Sequence, residues 1–408
     1  MDDSSKVLDL ATRSGRILLE NGAEISRVEE TMDIIARHYG EESENFFVLS
    51  NGIFTTGSSY SKVEFIPIRG TRLDKVVNVN QLSRDIVAED LPVEEAEHRL
   101  EEINRSPEKP VWEQLVGTIV GCGGFCAIFG GGFMDCAASV IAGLLLYSFV
   151  LFVGAKYLSK PLSNICGGLI GTLVCILLYG AGFGQSLGNM VIGAVIPLIP
   201  GVAFTNGLRD VANEDYLAGT IRLLDAMMVF FCIAIGVCLS FIGHSAVAGG
   251  MIQLSGTSTD MSTYAIPIQL AAAFLGTAAF AVLFGVPRKH YIACGIVGML
   301  GWLVYLLIVR HTSMTVVGGT FFASLCVAIL SHLCAVKRRC PSTIFLICGI
   351  FPLIPGAGVF WSSYYLVSRQ FHSALNSGFT AVMVTLAIVL SIIIVTSIPR
   401  HNGVVRNR

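Results

Sequence analysis

Hydrophobic and polar positions follow two different patterns, and the change falls near residue 110. Beyond it, apolar runs occupy 114–132, 135–154, 162–181, 186–206, 219–242, 264–285, 291–309, 315–335, 343–364 and 376–397. Each is close to the roughly 20 residues that carry a helix across a hydrocarbon core about 30 Å thick. Before it, the chain is amphipathic. Val7, Leu10, Ala11, Ile17 and Leu18 form one stripe at helical spacing within residues 5–20. Ile25, Val28, Met32, Ile35 and Ala36 form another within 23–39, and Asn21-Gly22 separates the two. Asn45–Thr56, Lys62–Ile68 and Lys75–Val79 read as strands. Residues 92–104 read as an amphipathic helix with Pro92 near its first turn, and 106–110 as a linker. The predicted fold is an α-helical polytopic membrane protein of ten spans behind a small α/β domain. Its expected units are 1–110, 111–243 and 264–398.

Charge sharpens the division. Residues 1–110 hold 13 Lys/Arg and 22 Asp/Glu, whereas 111–408 hold 14 and 7. Long apolar stretches with so few charges belong in lipid, which excludes a soluble enzyme, a secreted disulfide scaffold and a nucleic-acid binder. Ten spans alternate the connections between two sides. Twelve basic residues then fall on the side of the amino terminus: Lys156, Lys160, Arg209, Arg222, Arg288, Lys289, Lys337, Arg338, Arg339, Arg400, Arg406 and Arg408. Only Arg310 and Arg369 fall opposite. This asymmetry predicts cytoplasmic termini in a plasma membrane. No secretory leader is read ahead of the first apolar run. The 12 cysteines lie mostly in apolar runs, without CxxC spacing, so no metal site is expected. HExxH and GxxxxGK[ST] are missing, so neither an enzyme nor a cofactor is expected.

Pro197-Leu198-Ile199-Pro200-Gly201 recurs 155 residues on as Pro352-Leu353-Ile354-Pro355-Gly356. At the same offset Phe125 matches Phe280, Phe129 matches Phe284, and Gly130 matches Gly285. Two homologous halves of five spans follow, and an odd number per half turns the second upside down. Inverted halves are characteristic of secondary transporters with mid-membrane sites. Paired prolines with a glycine break a helix, and freed backbone groups persist in lipid only inside protein or beside a water-filled cavity. The half-helix after Gly201 would offer its positive end to a carboxylate. Candidate substrate residues are therefore Pro197, Pro200, Gly201, Thr205 and Asn206 in one half, and Pro352, Pro355, Gly356 and Ser362 in the other. Charged and amide groups on one side and aromatic and hydroxyl groups on the other suit a small zwitterion or anion.

Ionisable groups within apolar segments are candidates for coupling. Asp225 lies about two turns into the fifth span, with Arg222 on the same face. Pairing with Arg222 or Arg209 in one state and not in another would make it a proton carrier; a static pair with Arg222 is the structural alternative. Asp210, Glu214 and Asp215 are expected in a solvated loop, Asp135 and His290 at the water boundary, and His332 at a helix contact. Glu24, Arg27 and Glu29 form a docking patch or a solvated or interhelical ion-pair face.

The stretch from Leu18 to Met32, LLENGAEISRVEETM, resembles the opening motif of the threonine/serine exporter family. Pro200-Gly201 through Asn206, with Arg209-Asp210, Gly219 and Arg222, resembles its first membrane motif. The resemblance implies a hydrophilic domain fused to about ten spans, and export of small amino acids driven by protons. Some relatives carry the halves on separate subunits and are associated with dicarboxylate export, so succinate-like substrates stay open. A channel or sensor with a signalling domain is the remaining alternative. The implied partners are a small-molecule substrate, protons and the lipid bilayer, with a homo-oligomer possible.

Overall fold

In the computed structural model, which describes residues 3–41, 46–57, 60–66, 70–250, 252, 254 and 266–397, the two amino-terminal stripes become α1 (Asp3–Glu20) and α2 (Ile25–His38). Every stripe residue named above is buried. The turn between them needs Gly22, whose φ of 86° is left-handed. Three antiparallel strands follow in the order β1 (Phe46–Leu49), β2 (Gly52–Thr56) and β3 (Ser61–Phe65). Asn45, Pro67 and Ile68, at the ends of the expected strands, lie outside the described residues.

Lys75–Val79 is not a strand. It belongs to α3 (Leu73–Glu89), which α4 (Val93–Arg105) follows. Val76, Val77 and Val79 make a locally β-like run, but Leu73, Val76, Asn80, Ser83 and Ile86 bury one helical face over the whole segment. Burial along that face overrides a short-range β preference. Helices α1–α4 and strands β1–β3 make up the head.

The membrane-type helices come in two series. The first is α5 (Val111–Ile128), α6 (Phe133–Phe149), a π-helical turn (Val150–Gly154) with α7 (Ala155–Tyr157), α8 (Lys160–Gly180), α9 (Leu187–Val195), α10 (Gly201–Ala212) and α11 (Tyr216–Ala248). The second is α12 (Ile266–Leu283), α13 (Tyr291–His311), α14 (Val316–Arg338), α15 (Thr343–Ile350), α16 (Gly356–Val367) and α17 (Phe371–Thr396). Among the described residues, nine helices are long and apolar enough to cross a membrane. The pair Leu187–Leu198 and Gly201–Ala212, bent by 71°, is a broken span or a re-entrant loop and brings the number to ten if it is one span. Residues 264, 265 and 398, together with Arg400, Arg406 and Arg408, lie outside the described residues.

Helix bounds recur at the offset of the repeat. Val111–Ile128 becomes Ile266–Leu283. The 3-10 turn Ile196–Leu198 and the helix Gly201–Ala212 become Phe351–Leu353 and Gly356–Val367. Packing recurs as well: α5–α6, α6–α9, α8–α11 and α10–α11 are matched by α12–α13, α13–α15, α14–α17 and α16–α17. Where the series meet, Gly121 lets in Phe280 and Gly276 lets in Phe125, and the two rings touch edge to face at 5.3 Å. The breaks differ in one respect. The first is sharply bent, while Thr343–Val367 reads as one 25-residue span.

Small residues set the tightest contact, between α8 and α11. A Cβ at Gly168 would lie 2.9 Å from the Ile233 carbonyl, and one at Gly236 would run into the Ile165 carbonyl and the Leu169 amide. Backbone cannot step aside as a side chain can. Gly236→Val is expected to destabilise the protein by about 1–3 kcal/mol or more through overpacking. Gly243→Ala, with nothing within 4 Å of its Cβ, is the neutral control. Melting in detergent checks both, and equal melting points would refute the close-packed interface.

The head rests on helix ends of both series. Leu73 N donates to Phe284 O at 3.2 Å, Asp74 N to Gly285 O at 2.9 Å, and Arg84 Nη2 to Arg339 O at 2.9 Å. In the linker, Lys109 Nζ donates to Val286 O and contacts Tyr291. Burial pushes the Lys109 ammonium down to about 8.

Candidate functional site

A cleft of about 550 Å³ lies where the first break meets the head. Its floor is the break itself, Pro200 and Gly201, with Asn206 further along α10. Lys160 and Asn164, four residues apart on α8, form one wall; Arg222 and Asp225 on α11 form another. The head supplies Gly22, Ser50, Asn51, Phe65, Gly70 and Thr71. The volume suits a small metabolite.

Two ion pairs of opposite character stand at this cleft. Lys160 Nζ meets Asp225 Oδ2 at 2.7 Å, with side chains 62% and 45% exposed. Arg222 Nη1 meets Asp210 Oδ2 at 2.8 Å, with side chains 3% and 0% exposed. The expected pairing of Asp225 with Arg222 or Arg209 is therefore corrected. Arg222 points to Asp210 and to the Ala23 carbonyl at 2.8 Å, and Asp225 turns to α8. Asp210 is also not in a solvated loop; it is fully buried on α10.

That buried pair belongs to a larger junction between the loop of residues 21–26 and the membrane helices. Asn206 Nδ2 donates to Gly22 O at 2.6 Å, Ile25 N to Asp210 Oδ1 at 3.3 Å, and Asn213 Nδ2 to Ser26 Oγ at 3.2 Å. Glu24, 2% exposed at its side chain, meets Arg209 Nε at 2.5 Å. Arg209 reaches onward to Thr343 Oγ1 at 2.9 Å and Ser342 Oγ at 3.1 Å, at the start of α15. Glu24 is thus a docking residue and not part of a solvated face. Arg27 stays on α2, 3.7 Å from Glu24 and 2.7 Å from Glu30, and Glu29 is partly buried beside it.

The remaining candidates are spread out. Pro197 sits in the 3-10 turn, and Thr205 is buried within α10. The two breaks adjoin: a Cβ on Gly201 would meet Phe351, and one on Gly356 would meet Ile199. The second break does not open on the cleft. Gly356 borders a separate gap of about 10 Å³, room for about one water. Pro352 is buried, Pro355 caps α16, and Ser362 Oγ donates to Ala374 O at 3.1 Å. The expectation of one cavity shared by both breaks is corrected accordingly. Asp135 is buried and accepts from the amides of Gly132, Gln185 and Ser186, so it is a structural cap and not a water-boundary group. His290 is likewise buried, edge-on to Phe345 at 5.6 Å. Sequence spacing missed Lys160 and Asn164 as site residues. The only signal was a lysine one turn before an asparagine at the start of a span.

With this geometry in view, comparison with known proteins is specific. The family described as "Putative threonine/serine exporter" matches residues 9–242, and a second family, described as "Threonine/Serine exporter, ThrE", matches 269–398. A "Threonine/serine exporter" of Corynebacterium glutamicum is 26% identical over 399 residues, covering 93% of this chain and 79% of that protein. A "Probable threonine/serine exporter" of Mycobacterium tuberculosis is 24% identical over 370 residues, covering 87% and 69%. A "Pheromone-regulated membrane protein 10" of Yarrowia lipolytica is 24% identical over 262 residues, covering 61% of this chain and 21% of its own length. No solved structure gives a significant match.

Proposed function

Because the chain belongs to the threonine/serine exporter family, we propose that it exports small threonine- or serine-like amino acids as a proton-driven secondary transporter of the plasma membrane. The observation that carries this is the cleft at the first helix break, bounded by charged groups from α8 and α11 and covered by the head. The two helix series are taken as inverted halves, with the head and both termini cytoplasmic. The head's contacts support that orientation. Residues 213, 285 and 339, which it touches, are ends that an alternation of ten spans puts on one side. The cleft is then the loading mouth of an inward-facing state. Straightening or bending the two breaks in turn would pass the solute outward. Asp225, which lines the cleft, is our candidate for the coupling carboxylate; Asp210 is buried and paired with Arg222.

Proteoliposome counterflow with labelled threonine, serine and succinate tests this reading. Threonine and serine are expected to exchange, and an imposed proton gradient to drive accumulation. Folded protein that moves neither amino acid would overturn the proposal. Movement of succinate alone would transfer the site to dicarboxylates.

A further inference from the structure

We propose that the Lys160–Asp225 pair is a built-in stand-in for the substrate's own charges: Lys160 receives the α-carboxylate and Asp225 the α-ammonium of a zwitterion. This rests on the exporter reading and assigns the groups that read the amino-acid backbone.

Three charged side chains line the cleft among the described residues: Lys160, Arg222 and Asp225. Arg222 is committed, buried against Asp210 and the Ala23 carbonyl. Extracting it would leave a buried carboxylate without its cation, which is strongly unfavourable. Among the described residues, Lys160 and Asp225 are held by each other alone at 2.7 Å, and both are about half exposed. Such a pair is weak in water, so opening it costs little. An entering zwitterion replaces one contact with two of the same kind, an ammonium on carboxylate and a carboxylate on ammonium. A lone amine or a lone acid leaves one of the two residues without a partner. A dicarboxylate sets a second negative group against Asp225. The same cleft holds a further acceptor: Asn206 is 2% exposed, and its Oδ1 has no hydrogen-bond partner among the described residues.

The test is calorimetric titration of the purified full chain with three probes: L-threonine, L-threoninol (no carboxylate) and N-acetyl-L-threonine (no ammonium). The unmodified protein is expected to bind threonine at least tenfold more tightly than either analogue. Asp225→Asn is expected to weaken threonine by about 10- to 100-fold, the size of one lost charged hydrogen bond, while N-acetylthreonine binds no worse. Lys160→Met is expected to mirror this, sparing threoninol. Melting points of both variants should stay near that of the unmodified protein, since the pair is exposed; if Lys160→Met fails to fold, Asp225→Asn decides alone. Threonine binding within about threefold of normal in both variants would reduce the pair to an ordinary surface ion pair and overturn the proposal, with the exporter reading intact. If folded, unmodified protein neither binds nor exchanges threonine, the exporter reading falls as well.

Discussion

Arg222→Met is expected to destabilise the protein by about 3–5 kcal/mol, the cost of leaving one member of a buried ion pair without the other. Asp210 would remain fully buried with no cation at its Oδ2, and the Ala23 carbonyl would lose its donor. The damage should spread to head docking, because the same guanidinium holds the loop before α2 against α11. Thermal unfolding in detergent measures the stability change, and protease cutting in the 106–110 linker reports head release. A control separates charge from packing. Replacing both partners with apolar residues, Arg222→Met with Asp210→Leu, should recover much of the loss, since paired removal leaves no orphaned charge. A single Arg222→Met variant that melts within a degree of the parent, with an uncut linker, would show that the junction is not what holds the head.

The second large effect is expected at the breaks, and it should be unequal. A Cβ on Gly201 would lie 2.6 Å from Phe351 Cδ2 and 3.3 Å from Phe284 Cζ. Phe351 cannot yield easily, with the rings of Phe125, Phe280 and Phe284 packed around it at 5.3, 4.3 and 5.3 Å. Gly356 differs: its Cβ would meet only Ile199 Cδ1, the free end of a flexible side chain, at 2.6 Å. Gly201→Val is therefore expected to slow threonine exchange by at least about tenfold, equivalent to about 1.4 kcal/mol of added barrier. Gly356→Val should cost markedly less. Counterflow rates normalised to folded protein check the pair. Equal rates in the two variants would remove the asymmetry, and unimpaired Gly201→Val would dissociate the first break from transport.

Local patterns in the sequence translated well into structure. The head stripes, the span runs and the PLIPG breaks are all properties of neighbouring residues, and hydrophobic period or missing backbone donors report them directly. Lys75–Val79 failed because five residues rich in valine cannot distinguish a strand from one face of a 17-residue helix. The ion pairs failed for a different reason. Spacing identifies Arg222 and Asp225 as helix neighbours, but it is blind to Asp210 on another helix and to Lys160 on a third. Glu24 looked like a surface charge because its partner, Arg209, is distant in the chain. Both motifs behind the family resemblance turned out to be two sides of one junction, which neither motif shows alone.

The junction also dictates an order of events during synthesis. Ile25 and its acceptor Asp210 are 185 residues apart. At about 5–20 residues per second, the loop before α2 waits roughly 10–40 s after it is made before its binding partners are even translated. Arg209's second anchorage, at Ser342 and Thr343, is later still. The head therefore leaves the ribosome with an acidic, unmatched edge. It acquires its seat only when α10 and α11 are laid down, and the last latch closes once the chain has passed α14 of the second series. The arrival of the second series, up to the start of α15, is thereby registered at the head.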